Sequence, residues 1–243
     1  MMKKKLSASH RKDDSRNNDR PRLEPFYDRK KLLFELIPIT LLIIIFAIAF
    51  YTYPKLPDKI PVHWNAYGEI DNYSSKLMVF LIPVIYLFFV IISFVLPAAD
   101  VFKDNIKKFY KYFYGMKILF GIFFLVLFIS TLLPNFGFHI NISQIVIASI
   151  AVLFFIIGMI LPKTERNYFI GIRTPWTLAS DDVWKKTHVL GGRLFIVIAV
   201  LLIIGFFVLD SSMLYILFII LLVLLVIYLM YYSYMLYKKE RSK

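Results

Sequence analysis

The charged side chains best suited to binding chemistry lie in the stretch 166–193, the longest polar passage between two apolar runs in the second half of the chain. Arg166 and Arg173 carry planar guanidinium groups, which form paired hydrogen bonds with a lipid phosphate or with the carboxylates of a partner. Their alternative role is to anchor the chain at the membrane by charge alone. Ser180 is a suitable N-cap, so a helix is predicted to begin there and to end or bend at residues 191–192. A short amphipathic connector lying on the membrane surface is the plainer interpretation.

A second polar group lies in the stretch 53–71, between the first two apolar runs. Apolar and polar side chains alternate over residues 60–65, which predicts a short extended segment, and residues 66–68 predict a turn. The functional interpretation is a cluster that holds a ligand or a cation at the surface, formed by His63, Asn65, Glu69 and Asp71. The alternative is a compact loop in which His63 and Asn65 satisfy backbone groups and Trp64 anchors at the membrane interface.

Motifs of the common enzyme classes are absent from the sequence. The chain lacks H-E-x-x-H, G-x-S-x-G, the phosphate-binding P-loop and G-x-G-x-x-G. It has no cysteine, which excludes a thiolate metal site and a cysteine nucleophile, and His139 is too isolated from other ligands to define a metal site. We therefore predict no catalytic residue, metal or cofactor, and no enzyme activity. Catalysis would have to come from His63 with Asp71, or from the two arginines with His188.

Membrane-spanning helices are the elements that must position these residues. Of the 243 residues 59% are hydrophobic, and 24 Phe and 16 Tyr are among them; soluble domains are closer to half apolar. A bilayer core of roughly 30 Å is crossed by a helix of about 20 apolar residues. The sequence therefore predicts an all-α integral membrane protein with six transmembrane helices, at residues 32–51, 77–96, 117–133, 144–161, 194–209 and 213–232.

The predicted spans carry no ionisable residue near their centres. Ion-coupled transporters and proton pumps usually carry such residues at membrane depth, so their absence argues against both classes. Glu35 lies a few residues inside the first span, and we expect its side chain to reach back to Arg29, Lys30 or Lys31.

Positive charge is distributed unevenly between the two sides of the predicted bundle. Of the 29 Lys and Arg, 26 fall in the two tails and in the loops on their side, and the loop around His63 holds the other three. Because positively charged loops stay in the cytoplasm, both termini are predicted to be cytoplasmic and the His63 loop to face outward. The net charge of +13 is therefore interpreted as a topology signal, with no direct binding of nucleic acid.

The sequence is predicted to divide into five parts. A basic, disordered tail at 1–31 is followed by two spans at 32–97 with an outward loop at 52–76, and by a cytoplasmic basic and aromatic juxtamembrane segment at 98–116. A four-span region at 117–237 with a cytoplasmic loop at 163–193 comes next, and a basic tail at 238–243 ends the sequence.

Two passages resemble the SdpI-like family of bacterial membrane proteins. The first runs from Leu56 to Asp71 through Ile60-Pro61-Val62-His63-Trp64-Asn65, and it is similar to an outward-loop domain of unknown function often found at the start of such proteins. The second and more specific passage contains Arg166-Asn167, Ile170-Gly171-Ile172-Arg173-Thr174-Pro175-Trp176-Thr177-Leu178, Trp184, Lys186-Thr187 and Gly191-Gly192. Together with the six spans, the resemblance covers most of the chain after about residue 33.

This resemblance implies a membrane receptor that gives resistance to a secreted toxic peptide and holds a small DNA-binding autorepressor at the membrane once the toxin is sensed. The outward loop would then meet the peptide, with candidate ligand-binding residues His63, Trp64, Asn65, Gly68 and Asp71. The cytoplasmic loop would meet the repressor or lipid headgroups, with candidate residues Arg166, Asn167, Gly171, Arg173, Thr174, Pro175, Trp184, Lys186, His188, Gly191 and Gly192. Toxin binding is expected to change the packing of the last two spans at a hinge at residues 191–192. This movement would change how the cytoplasmic side displays Trp184, Lys185, Lys186 and His188.

Three other functions remain open at this point. A membrane enzyme or lipid-handling protein would act on anionic headgroups through Arg166, Arg173 and His188. A small transporter would need a continuous polar cavity through the six helices. A structural partner of another membrane protein would depend on that second subunit for its stability.

Overall fold

The computed structural model describes residues 26–242 of the chain. Most of the predicted tail at 1–31 lies outside the described residues, although residues 29–31 already belong to a helix. The elements in this part of the chain are, in order, α1 (Arg29–Phe34), α2 (Leu36–Thr52), β1 (Lys59–Trp64), β2 (Ile70–Ser75), α3 (Leu81–Ala99), α4 (Lys103–Lys108), α5 (Tyr110–Leu132), α6 (Ile142–Ile160), α7 (Pro175–Ala179), α8 (Asp181–Val208) and α9 (Ser211–Arg241).

Six helices in the described range are long and apolar enough to cross a membrane, namely α2, α3, α5, α6, α8 and α9. They confirm the predicted six-span membrane protein. Several helices extend past the predicted apolar runs, and α8 extends furthest, since it begins at Asp181 rather than at residue 194. Hydropathy marks only the part of a helix that lies in the hydrocarbon core, so polar turns beyond that core are missed.

Prolines end several of these helices. Pro54, Pro134 and Pro162 each open a short 3₁₀ turn directly after a span, where the missing N–H and the fixed φ of proline prevent the α-helix from continuing. Pro97 does not act in this way, because α3 continues through it to Ala99.

The described bundle is built from two groups of three spanning helices. Ile45, Tyr86 and Phe128 belong to the buried cluster of the first group, formed by α2, α3 and α5. Ala151, Leu202 and Leu214 belong to the cluster of the second group, formed by α6, α8 and α9. Because lipid is as apolar as these side chains, close packing rather than exclusion of water holds the groups together.

A close crossing of α6 and α8 in the second group depends on two glycines. A Cβ added at Gly192 of α8 would lie 2.6 Å from the Gly158 carbonyl oxygen, and one added at Gly158 of α6 would lie 2.7 Å from the Gly192 carbonyl oxygen. Small residues at such a crossing let the two backbones approach. The predicted hinge at residues 191–192 is therefore wrong, because α8 is continuous through both glycines and their role is packing.

The basic and aromatic segment 98–116 is not one helix lying on the membrane surface. It forms the short helix α4, and α5 already begins at Tyr110. Phe109 and Phe113 point inward and pack with Phe26 and Ile170 in a third buried cluster. The prediction rested on the lysines of this segment, whereas Phe109, Tyr110 and Phe113 are buried core residues.

Loop contacts define two ends of the bundle. At the end that carries β1 and β2, which we call the hairpin end, Ser143 at the start of α6 donates a hydrogen bond of 2.9 Å to the Asn65 carbonyl. At the opposite end lies the connector, defined as residues 164–180, whose Arg166 carbonyl accepts a hydrogen bond of 2.8 Å from Asn105 in α4. The two predicted binding regions therefore lie at opposite ends of the bundle.

Candidate functional site

The predicted extended segment at the hairpin end is a β-hairpin. Strands β1 and β2 pair antiparallel, with Lys59 opposite Ser75 and Trp64 opposite Ile70. The turn between them is organised by Asn65, whose side-chain oxygen accepts hydrogen bonds of 3.0 Å from the backbone N–H groups of Tyr67 and Glu69. Asn65 thus has the backbone-satisfying role of the compact-loop interpretation.

The hairpin is fixed to the helices through Asn141. Its side-chain amide donates to the Tyr67 carbonyl at 3.3 Å and to the Ser211 hydroxyl at the start of α9. Its side-chain oxygen caps α6 by accepting from the Gln144 N–H at 3.1 Å. Gly68 adopts a φ of 83°, and a Cβ there would collide with the Asn141 amide. Asn141 therefore connects the hairpin, α6 and α9. The sequence did not predict this role, because its signal was only an asparagine directly before an apolar run.

His63 and Asp71 form an exposed pair on the hairpin. His63 Nδ1 lies 2.6 Å from Asp71 Oδ1, and the two side chains are 65% and 41% exposed. A polar side-chain contact this open to water contributes little to stability. Within the described chain, no group of three or more His, Cys, Asp or Glu side chains is arranged to hold a metal ion.

A cavity of about 490 Å³ lies beside the hairpin, and it includes two of the predicted ligand-binding residues. Trp64 and Gly68 line it, whereas His63, Asn65 and Asp71 do not. The remaining wall comes from the hairpin turn, the start of β2 and the α5–α6 loop, and it consists of Glu69, Ile70, Pro134, Phe138, His139, Ile140 and Asn141. The combination of aromatic and aliphatic surface with one carboxylate suits an apolar side chain of a peptide together with a nearby cationic group.

At the other end of the bundle, Asn167 organises the connector. It is fully buried, and its side-chain oxygen accepts from the N–H groups of Phe169 and Ile170 at 2.8 and 2.6 Å. Its amide donates to the carbonyls of Glu165 and Ile170 at 2.7 and 3.1 Å. With all of these contacts internal, Asn167 holds the loop in shape and presents nothing to a partner.

Trp184 and His188 are also internal. They are 2% and 1% exposed, and their rings stack with centroids 4.0 Å apart. Trp184 donates to the Thr164 carbonyl at 3.1 Å. His188 Nε2 accepts from the Ile172 N–H at 2.9 Å, so its Nδ1 carries the proton and donates to the Trp184 carbonyl at 2.8 Å. These contacts keep the imidazole neutral and out of reach of headgroups.

Glycines permit the close contact between the connector and α8. Gly171 adopts a φ of 119°, and a Cβ there would collide with the His188 ring. A Cβ at Gly191 would collide with the Ile172 side chain. The sequence expectation that α8 presents Trp184 and His188 at a surface is therefore corrected: both side chains are covered by the connector.

The predicted cationic residues differ in how far they are already paired. Arg166 Nε lies 2.8 Å from an Asp181 carboxylate oxygen, and the guanidinium lies over the Phe102 ring at 4.7 Å. Lys186 pairs with Asp182 one turn earlier in α8, at 2.6 Å. Arg173 is exposed and donates one hydrogen bond to the Tyr168 carbonyl. Of the two predicted arginines, Arg173 keeps the more available guanidinium.

Thr174 and Pro175 start the short helix α7. The Thr174 hydroxyl accepts from the Thr177 N–H at 3.1 Å, and the Thr177 hydroxyl accepts from the Thr174 N–H at 2.9 Å, which completes a reciprocal cap. The Thr174 hydroxyl also donates to Ser233 of α9 at 3.1 Å. This contact ties the connector to the last helix.

The sequence missed a charged cluster inside the first group of helices. Glu35 Oε1 accepts from Lys117 Nζ at 2.6 Å and from the Tyr110 hydroxyl at 2.8 Å. Glu35, Lys117 and Tyr110 are 4%, 1% and 6% exposed. The predicted contacts of Glu35 with Arg29, Lys30 or Lys31 are therefore wrong. The signal available in the sequence was one lysine at the start of the predicted third span.

Comparison with known proteins agrees with this layout. Residues 163–233 match the model of the SdpI/YfhL protein family, and residues 40–87 match a domain of unknown function (DUF1648). The Immunity protein SdpI of Bacillus subtilis (strain 168) is 28% identical over 173 residues, which cover 71% of this chain and 81% of that protein. No solved structure has significant similarity to the chain. The two domain matches and the curated relative together confirm the resemblance to the SdpI-like family, and the six spans are those of a multi-pass cell-membrane protein.

Proposed function

We propose that the protein is a membrane immunity protein that protects its cell against a secreted peptide toxin. The relative named an immunity protein supports this function, because its similarity extends over most of both chains. The observation that carries the proposal is the cavity beside Trp64, which combines apolar walls with the Glu69 carboxylate at one end of the bundle. A toxin that attacks the membrane would meet this end first if the hairpin faces outward.

The proposed orientation places the hairpin end outside and both termini in the cytoplasm. Lys55, Lys59 and Lys76 are the cationic residues of the hairpin end, and the other loops and tails carry nearly all the rest. Lys117 is buried inside the bundle, so it is removed from the count of loop and tail charges on the side of the two termini. The remaining bias is still strong, and it supports this topology.

Toxin recognition is proposed to occur in the cavity rather than at the His63–Asp71 pair. Trp64 supplies the aromatic surface, and Glu69 supplies a charge for a cationic group on the peptide. The experiment expresses the wild type, Trp64→Ala, Glu69→Gln and the control His63→Ala in a toxin-sensitive host, which is then challenged with peptides secreted by the source organism. Loss of protection is expected for the two cavity variants and not for the control. Full protection by Trp64→Ala and Glu69→Gln would contradict the proposed contact.

We further propose that toxin binding is transmitted through α9 to a cytoplasmic autorepressor. Ser211 at the start of α9 contacts Asn141 at the hairpin end, and Ser233 near its other end contacts Thr174 of the connector. One rigid helix therefore contacts both ends of the bundle, which supports coupling between them. With Trp184 and His188 buried, the exposed Lys185 and Lys186 of α8 are the proposed repressor contacts.

A recruitment assay tests this second step. Lys185→Glu combined with Lys186→Glu is expected to leave immunity intact and to abolish toxin-dependent recruitment of the repressor, measured as its membrane fraction. Recruitment equal to that of the wild type would contradict the assignment of the two lysines.

A further inference from the structure

An apolar groove of about 330 Å³ lies at the connector end, between α8 and α9. Phe195 of α8 forms one wall, and Leu222, Val226 and Met230 of α9 form the other. Ile172 and Arg173 of the connector close its polar end. The groove therefore has a long apolar body and one cationic residue at its mouth.

The groove opens toward the surrounding bilayer. Val226 and Met230 are 50% and 48% exposed, and they lie on a helix long and apolar enough to span the membrane. A surface of this kind is covered by acyl chains unless protein covers it. An acyl chain can enter the groove directly from the membrane.

Arg173 gives this groove a charge that the nearby protein does not neutralise. Its hydrogen bond to the Tyr168 carbonyl holds the side chain in place, while no carboxylate in the span 26–242 forms an ion pair with it. Asp181 and Asp182, which follow Arg173 in the chain, pair instead with Arg166 and Lys186. A fixed guanidinium beside lipid is well suited to a phosphate, with which it forms paired, charge-assisted hydrogen bonds.

We propose that this groove is a binding site for one anionic phospholipid of the surrounding bilayer. An acyl chain lies between Phe195 and Val226, and the phosphate binds Arg173. Basic pockets between membrane helices bind anionic headgroups in this way on the cytoplasmic side. The site does not depend on the immunity function, because its parts are the groove and the arginine alone.

Lipid retention by the purified full-length protein tests the proposal. The protein is equilibrated with mixed vesicles of phosphatidylglycerol and phosphatidylcholine, extracted in mild detergent, and examined by native mass spectrometry. The wild type is expected to retain one phosphatidylglycerol in preference to phosphatidylcholine. Arg173→Gln removes a charge-assisted contact, so retention of phosphatidylglycerol is expected to fall about tenfold.

Two further variants separate the headgroup contact from the chain contact. Val226→Trp fills the groove without changing its charge, and it is expected to reduce retention of the lipid as well. Lys163→Gln removes an exposed cation that does not line the groove, and it is expected to retain phosphatidylglycerol as the wild type does. Equal retention of the two lipids by the wild type, or undiminished phosphatidylglycerol retention by either Arg173→Gln or Val226→Trp, would overturn the proposal.

Discussion

The buried ion pair between Glu35 and Lys117 predicts a large and non-additive effect on stability. Glu35 and Lys117 are only 4% and 1% exposed, and Lys117 Nζ lies 2.6 Å from Glu35 Oε1. Removing one partner leaves an uncompensated charge inside the bundle, which costs about 3–5 kcal/mol for buried pairs. Glu35→Gln and Lys117→Met are each expected to destabilise the protein by that amount.

The double variant distinguishes this account from a simple loss of packing. Glu35→Gln combined with Lys117→Met leaves no buried charge, and replacing a buried pair by neutral groups is often nearly neutral. We therefore expect the double variant to recover most of the stability lost in each single variant. Thermal and denaturant unfolding in one detergent measures the free energy of unfolding of the wild type, the two single variants and the double variant.

A matched control and a refuting outcome complete the test. Lys111 is an exposed lysine on the same helix, and Lys111→Met is expected to change stability by less than about 0.5 kcal/mol. If Lys117→Met were as mild as Lys111→Met, or if the two single effects simply added, the ion pair would not stabilise the bundle in the way described.

Three further predictions concern the glycine crossing and two helix caps. Gly192→Val places a side chain against the Gly158 carbonyl, and it is expected to cost about 1–3 kcal/mol or more in unfolding measurements, whereas Gly115→Ala, which has open space around it, should be tolerated. Asn141→Ala removes the α6 cap and the hairpin contact, and we expect a loss of about 1 kcal/mol together with faster hydrogen exchange in residues 59–75. Hydrogen bonds from the Ser212 hydroxyl and the Met213 N–H hold the pKa of the exposed Asp210 carboxyl below its usual value. This contribution is present above the unfolded-state pKa and is lost as pH falls through the lower folded-state pKa, so Asp210→Asn should show a smaller loss of melting temperature on acidification than the wild type.

The spans and the hairpin were predictable because their signals are local. Long apolar runs fix the number of spanning helices, and alternation over residues 60–65 followed by Gly68 predicts a strand and a turn. The structure has six apolar helices in the described range and β1 and β2 at that place. Each of these features needs only neighbouring residues.

The charged cluster was not predictable because its partners are distant in the sequence. Glu35 and Lys117 are 82 residues apart, and Tyr110 is 75 residues from Glu35. Local reasoning therefore assigned the glutamate to the nearest lysines, and it left the lysine at the edge of the third span, where its charge was counted with the adjoining loop. Only the packing of α5 against α2 brings the three side chains together.

The sequence identified residues that lie together at the connector end, but it did not predict which of them are buried. Trp184 and His188 looked available because hydropathy placed the start of the fifth span at residue 194. In the structure α8 begins at Asp181, and the connector folds back over its first turns, so both rings are buried. The glycines at 171 and 191 permit that contact, which the sequence could not distinguish from a flexible hinge.

The orientation of the two ends is the claim on which the receptor function depends, and the cysteine-free chain allows it to be measured directly. Tyr67→Cys at the exposed hairpin turn and Lys185→Cys on the exposed face of α8 are each labelled in intact cells with a membrane-impermeant maleimide. We expect the Tyr67→Cys protein to be labelled in intact cells and the Lys185→Cys protein only after the membrane is permeabilised. Labelling of both positions from outside, or of Lys185→Cys alone, would contradict an outward hairpin and an inward connector.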